Sequence, residues 1–174
     1  MRSWTKEYTY LGRKNDMAAN SEIPMIASKH YIQFISLIVD SAIRNSIVIR
    51  AEHSIGSAFA MNFAPEEETG RGWQLDVFAA DWVLKTNSAN VTSDNFNEIE
   101  LRDWLAASKT RRILKFFQSE NRIKLELSEG FSLVLTAADE GDADSDQWFL
   151  SHNDDWLLCR NGNGEFVFQD LTQR

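Results

Sequence analysis

The chain of 174 residues holds a single cysteine, Cys159, and no apolar run near the ~20 residues a bilayer span requires. A lone cysteine makes no internal disulfide, which predicts a reducing compartment, the cytoplasm. Met1-Arg2-Ser3-Trp4 opens no apolar signal segment. Basic charge is scarce as well: 18 Lys and Arg stand against 26 Asp and Glu, a net charge of −8. That balance argues against nucleic acid or membrane as a partner and for a protein with a basic surface. Also missing are G-x-S-x-G, H-E-x-x-H, C-x-x-C, the P-loop and G-x-G-x-x-G. No reaction is signalled, so the expectation is a non-enzyme without metal or cofactor.

What is present is enough for one compact domain over 1–174: 43% hydrophobic and 25% charged residues, a globular composition. Charge comes in blocks. Residues 1–45 hold 6 basic and 4 acidic side chains, 46–100 hold 3 and 9, 101–137 hold 7 and 4, and 138–174 hold 2 and 9. The alternation predicts two similar halves, and the side chains point the same way. Ile38 aligns with Ile113, Ile47-x-Ile49 with Ile123-x-Leu125, and Trp73-x-Leu75 with Trp148-x-Leu150. Asp81-Trp82-x-Leu84 then meets Asp155-Trp156-x-Leu158, with Asn87 over Asn161, at an offset of 74 to 76. This predicts an internal repeat over about 28–90 and 101–170, preceded by an N-terminal arm, 1–24, read as an edge strand and a loose loop.

Alternation at period two predicts strands at 46–50 and 122–127. Glu129-Gly130 turns the second into 131–135, and 58–63 is the matching stretch. The two tryptophan segments are further strands, and Asn161-Gly162-Asn163-Gly164 offers a tight turn into 165–168. Helices are predicted from Ser93 or Asp94 to about Ser108 and from Ser28 to about Leu37. The fold class is therefore α+β, predominantly antiparallel β. Two β-rich units pack as one pseudo-symmetric sandwich or barrel with one or two helices.

The sharpest local feature is the run Asp139, Glu140, Asp142, Asp144, Asp146. Its D-x-D-x-D spacing invites calcium, yet Gln147 replaces the glycine and Asn153 the bidentate glutamate of an EF-hand. A solvated or partner-binding acidic loop fits better. Glu66, Glu67 and Glu68 stand at the matching place in the first half, so both halves are expected to put acid at one structural position. The tryptophans read as core rather than as a ligand box. Asp81 and Asp155 read as turn or strand-edge groups, with an acid–base pair as the alternative. His30, His53 and His152 match nothing across the repeat, and Cys159 reads as a small buried side chain. Arg111, Arg112, Lys115, Arg122 and Lys124 form the basic cluster, read as a solvated helix end.

On the Ile47-x-Ile49, Ile123-x-Leu125, Trp73-x-Leu75 and Trp148-x-Leu150 units and the two acidic loops, the chain resembles bacterial toxin immunity proteins, including those of contact-dependent inhibition, over about residues 35–170. The resemblance implies an inhibitor, a monomer or a heterodimer with its toxin, that neutralises a cognate toxin domain such as a nuclease. Carboxylates at Glu66, Glu67, Glu68, Asp139, Glu140, Asp142, Asp144 and Asp146 would stand in for substrate phosphates, with Trp4, Tyr8 or Phe78 as anchors. A small-molecule-binding or enzymatic β-barrel, using Asp81 and Asp155 beside the tryptophans, is the alternative from another class. A structural module presenting an edge strand is the third reading.

Overall fold

The structure is a computed structural model describing residues 29–66, 72–78, 80–119, 122–137, 146–152, 156–161 and 166–170. Alternating burial builds its strands. In Trp73–Val77 (β3) the buried side chains are Trp73, Leu75 and Val77, while Gln74 and Asp76 point away. The same rule shapes Ile47–His53 (β1), Phe59–Ala64 (β2), Asp81–Lys85 (β4) and the short Asn90–Thr92 (β5). In the second half, Ile113–Ser119 (β6), Arg122–Leu127 (β7), Ser132–Thr136 (β8), Asp146–His152 (β9), Trp156–Asn161 (β10) and Phe166–Asp170 (β11) follow. All pairings are antiparallel: a six-stranded sheet, β1-β2-β3-β9-β10-β11, and a five-stranded sheet, β5-β4-β8-β7-β6. One core joins them, with Phe59, Met61, Leu75, Trp148 and Leu150 from the first and Trp82, Leu84, Ile123, Leu125, Leu133 and Leu135 from the second. The protein is thus α+β, mostly antiparallel, with two sheets and two α-helices among the described residues.

The first helix, Lys29–Ile43 (α1), runs six residues past its expected end because Ile32, Ile35, Val39 and Ile43 keep one stripe buried. The second, Glu98–Ser108 (α2), starts later than expected. Neither Ser93 nor Asp94 caps it; the Asn97 side chain accepts from the Glu100 N–H at 2.8 Å. The strands at 113–119 and 90–92 are not among those the alternation predicts, since neither stretch alternates cleanly. A bulge at Leu114 breaks the period in β6.

Two successive runs share one pattern: α1-β1-β2-β3-β4-β5, then α2-β6-β7-β8-β9-β10, with β11 appended. Each run's fourth strand crosses to pair with the other run's third, β4 with β8 and β9 with β3. Registers agree pair by pair. Val48↔Phe63 and Arg50↔Asn62 flank the skipped Ile49, as Ile113↔Leu127 and Lys115↔Glu126 flank Leu114. Trp82↔Leu135 and Leu84↔Leu133 correspond to Trp148↔Val77 and Leu150↔Leu75. The helix-to-strand connections are reciprocal: the Asn45 N–H donates to the Ile113 carbonyl at 2.9 Å, and the Thr110 N–H to the Val48 carbonyl at 2.7 Å. Both donors have positive φ, 71° and 67°.

The offset of 74 to 76 is not the one this pattern uses. By register Val48 corresponds to Ile113, Phe63 to Leu127, Leu75 to Leu133 and Trp82 to Trp148, offsets of 65, 64, 58 and 66. Trp73-x-Leu75 and Trp148-x-Leu150 lie on neighbouring, hydrogen-bonded strands, while Trp82 and Trp156 lie in different sheets. Any strand burying one face in a shared core carries large apolar residues at i and i+2, so W-x-L recurs without structural equivalence.

Candidate functional site

The segments that build the two sheets differ in charge. Residues 46–77 and 138–174, which supply β1–β3 and β9–β11, hold 4 basic and 14 acidic side chains. Residues 109–137, which supply β6–β8 of the five-stranded sheet, hold 6 and 3.

The expected acidic positions do not share one place in the fold. Glu66 follows β2, and its carboxylate accepts from the Arg112 guanidinium at 2.7 Å. Asp146 opens β9, its backbone opposite Asn161. Glu67, Glu68, Asp139, Glu140, Asp142 and Asp144, and the side chain of Asp146, lie outside the described residues. The first loop joins β2 to β3 within one sheet, whereas the second joins β8 to β9 across sheets. Their anchors are at opposite ends: Phe63 pairs with Trp73, while Asp146 lies beyond the Val77↔Trp148 pair. The length of β3 separates these ends, about 17 Å for five residues.

The basic cluster is not a helix end either. Arg111 and Arg112 lie in the connection to β6, where Arg111 pairs with Glu129 at 2.8 Å and packs on the Phe131 ring at 5.1 Å. Lys115, Arg122 and Lys124 are on strands. Because Leu125, Leu133 and Leu135 face the core, Lys124, Ser132 and Val134 face outward, as does Phe117. In register Phe117 opposes Lys124, which opposes Val134; Ser132 opposes Lys85. Phe117, Lys85, Arg122, Lys124, Ser132 and Val134 line a cleft of about 280 Å³. Val134 is only 4% exposed although it points away from the core; its cross-strand neighbours are Lys124 and Val83. Lys124 also pairs with Glu126 at 2.6 Å, and this bond holds the Glu126 carboxyl below its ordinary pKa.

The six-stranded sheet presents the opposite chemistry. Asn62 donates to Gln74 at 3.1 Å, and Gln74 donates to both oxygens of Asp76 at 2.9 and 2.7 Å. Burial pushes the Asp76 pKa up, and the Gln74 bonds oppose that shift. Phe78, a proposed anchor, is 49% exposed and meets Phe149 edge-on at 5.5 Å. Trp4 and Tyr8 lie outside the described residues.

Asp81 is exposed at the start of β4, so it is not inside a cavity with the tryptophans; Asp155 lies outside the described residues. Trp73, Trp82 and Trp148 are buried in the core. The His53 ring bonds the Gly56 carbonyl at 2.7 Å, and His152 packs on Trp73 at 4.9 Å. Among the described residues, no three His, Cys, Asp or Glu side chains gather as a metal site, and no helix is long and apolar enough to cross a membrane. Sequence reasoning missed the cleft because Lys85 and Phe117 join it only through sheet pairing; the Arg122-x-Lys124 alternation was the available signal.

No family model matches the chain, and neither a curated protein nor a solved structure matches it.

Proposed function

We propose that the protein is a non-enzymatic inhibitor that binds and blocks a cognate toxin domain carrying a basic surface, in the cytoplasm, as an immunity protein does. The observation that carries this reading is the segregation of acid into the segments that form the six-stranded sheet and its loops. A basic active site is drawn to such a surface by long-range attraction, which raises association rates roughly 10–10³-fold and weakens with salt. Asp76, kept solvent-facing on β3, adds a carboxylate to that side, and the half-exposed Phe78 offers an apolar anchor at the Val77 end. The segments carrying the two acidic runs are anchored at opposite ends of β3, so they count as two separate contacts.

The test is co-expression with the protein encoded immediately upstream, then affinity capture at about 100 and about 500 mM salt, where screening lengths differ about twofold. A stoichiometric complex that restores growth and loosens at high salt is the expected result. Charge reversal of Glu66, Glu67 and Glu68, or of Asp139, Asp142, Asp144 and Asp146, should slow association about tenfold or more. Unchanged rates and salt dependence in both variants remove the loops from the mechanism. A folded monomer that captures no toxin overturns the reading.

A further inference from the structure

The geometry points to the cleft on the outer face of the five-stranded sheet as a binding site for a phosphate-bearing ring compound of mononucleotide size. Lys85, Arg122 and Lys124 surround it, Ser132 adds a hydroxyl, Val134 forms an apolar floor, and the half-exposed Phe117 ring forms a wall. Only Lys124 of the three cations has an acidic partner among the described residues, Glu126. Cations gathered on one sheet face repel each other, and an anion relieves that repulsion.

The fold does not demand this chemistry. By the register correspondence, the six-stranded sheet sets Glu52 where Phe117 stands, Ala60 for Lys124, Ala58 for Arg122, Gln74 for Ser132, Asp76 for Val134 and Ser151 for Lys85. At these matched positions the six-stranded sheet carries small, neutral and acidic side chains, so the group of three cations has no counterpart there.

An extended acidic peptide fits poorly. β7 and β8 are interior strands with both edges paired, and the outer edge of β6 is already occupied. There the Asp40 carboxylate accepts from the Phe116 N–H at 2.7 Å and the Ser36 hydroxyl from the Gln118 N–H at 3.0 Å. No strand can add at this site, and specificity must come from side chains around a compact ligand. A volume of about 280 Å³ lies near the lower end for small-molecule sites. Phosphate on the cations and the Ser132 hydroxyl, with a base against Phe117 and Val134, uses every lining group.

Isothermal titration of the full chain at low salt with adenosine monophosphate, inorganic phosphate and adenosine tests this. The nucleotide should bind, phosphate alone should bind about tenfold more weakly because it lacks the ring against Phe117, and adenosine should give no heat because it lacks the charge-assisted bonds. Lys85→Gln with Arg122→Gln should weaken the nucleotide at least about tenfold, and Phe117→Ala by several-fold, while Arg102→Gln on α2 leaves it unchanged. All four side chains are exposed, and Lys85→Gln alone serves if the double variant does not fold. Absent nucleotide binding overturns the proposal, as does equal affinity in wild type and the Lys85 and Arg122 variants. Binding of a polyglutamate peptide without a response to the nucleotide also overturns it, in favour of an acidic protein partner.

Discussion

The two runs of secondary structure share an order of elements and a pairing register, and differ in most outward-facing side chains. Their cores match closely: Trp82 and Trp148 are each 1% exposed, and each pairs across to the third strand of the other run. Their connections match down to reciprocal hydrogen bonds. Outside, Lys124 and Arg122 on one sheet face correspond to Ala60 and Ala58 on the other. The helices diverge too. α1 places Ser36 and Asp40 against the β6 edge, whereas the register-matched positions on α2, 65 residues on, are the buried Leu101 and Leu105. What the halves hold in common is what the fold needs; what they do not hold in common is where binding chemistry is free to reside.

The largest effect should come from the core. Trp82→Ala and Trp148→Ala should each cost about 3–5 kcal/mol. With Trp82 the bond from its indole N–H to the Ser57 carbonyl, 2.9 Å, is lost as well. Denaturant unfolding of the two variants measures the difference, and a cost under about 1 kcal/mol at either position would break the equivalence of the cores. Next comes the edge of β6. Asp40→Ala strands the buried Phe116 N–H and removes the ion pair with Arg44, and should cost about 2–3 kcal/mol. Asp40→Asn keeps an acceptor and should recover more than half of that loss, which separates the hydrogen bond from the charge.

Much of this architecture is legible in the sequence, for reasons that differ by residue. The alternation of Arg122–Leu127 and the turn at Glu129-Gly130 are local signals, and the structure keeps both; Glu129 and Gly130 take φ of 60° and 78°. The strand β6 was hidden because its bulge leaves Leu114 and Lys115 both exposed, which breaks period two. The equivalence between runs was hidden more deeply. Trp73-x-Leu75 resembles Trp148-x-Leu150 because both strands bury the same face, and one sequence cannot tell a partner strand from a counterpart strand. The cleft lined by Lys85, Phe117, Arg122 and Lys124 depends on the register between β4, β6, β7 and β8, which sequence spacing does not encode.

The connections offer a finer comparison. Asn45 and Thr110 occupy matched positions in the left-handed region, φ 71° and 67°. Asparagine tolerates that conformation, while a β-branched threonine is strained there. Thr110→Gly should therefore stabilise the protein by about 1 kcal/mol, and Asn45→Gly by only a few tenths. Equal gains at the two sites, in matched thermal unfolding curves, would show that the threonine is not strained.

The smallest effect concerns charge on the six-stranded sheet. Burial raises the Asp76 pKa above its ordinary value of 3.8, with Gln74 pulling in the other direction. A carboxyl whose folded pKa exceeds its unfolded one lowers stability at pH above the folded value. That penalty fades as pH falls through the folded pKa towards the unfolded one. Asp76→Asn retains an oxygen for the Gln74 amide and removes the charge. It should stabilise the protein near neutral pH by about 0.5 kcal/mol after allowance for solvent screening, with the gain shrinking towards pH ~4. If the same variant also slows association with a basic partner, the charge on β3 serves binding rather than folding.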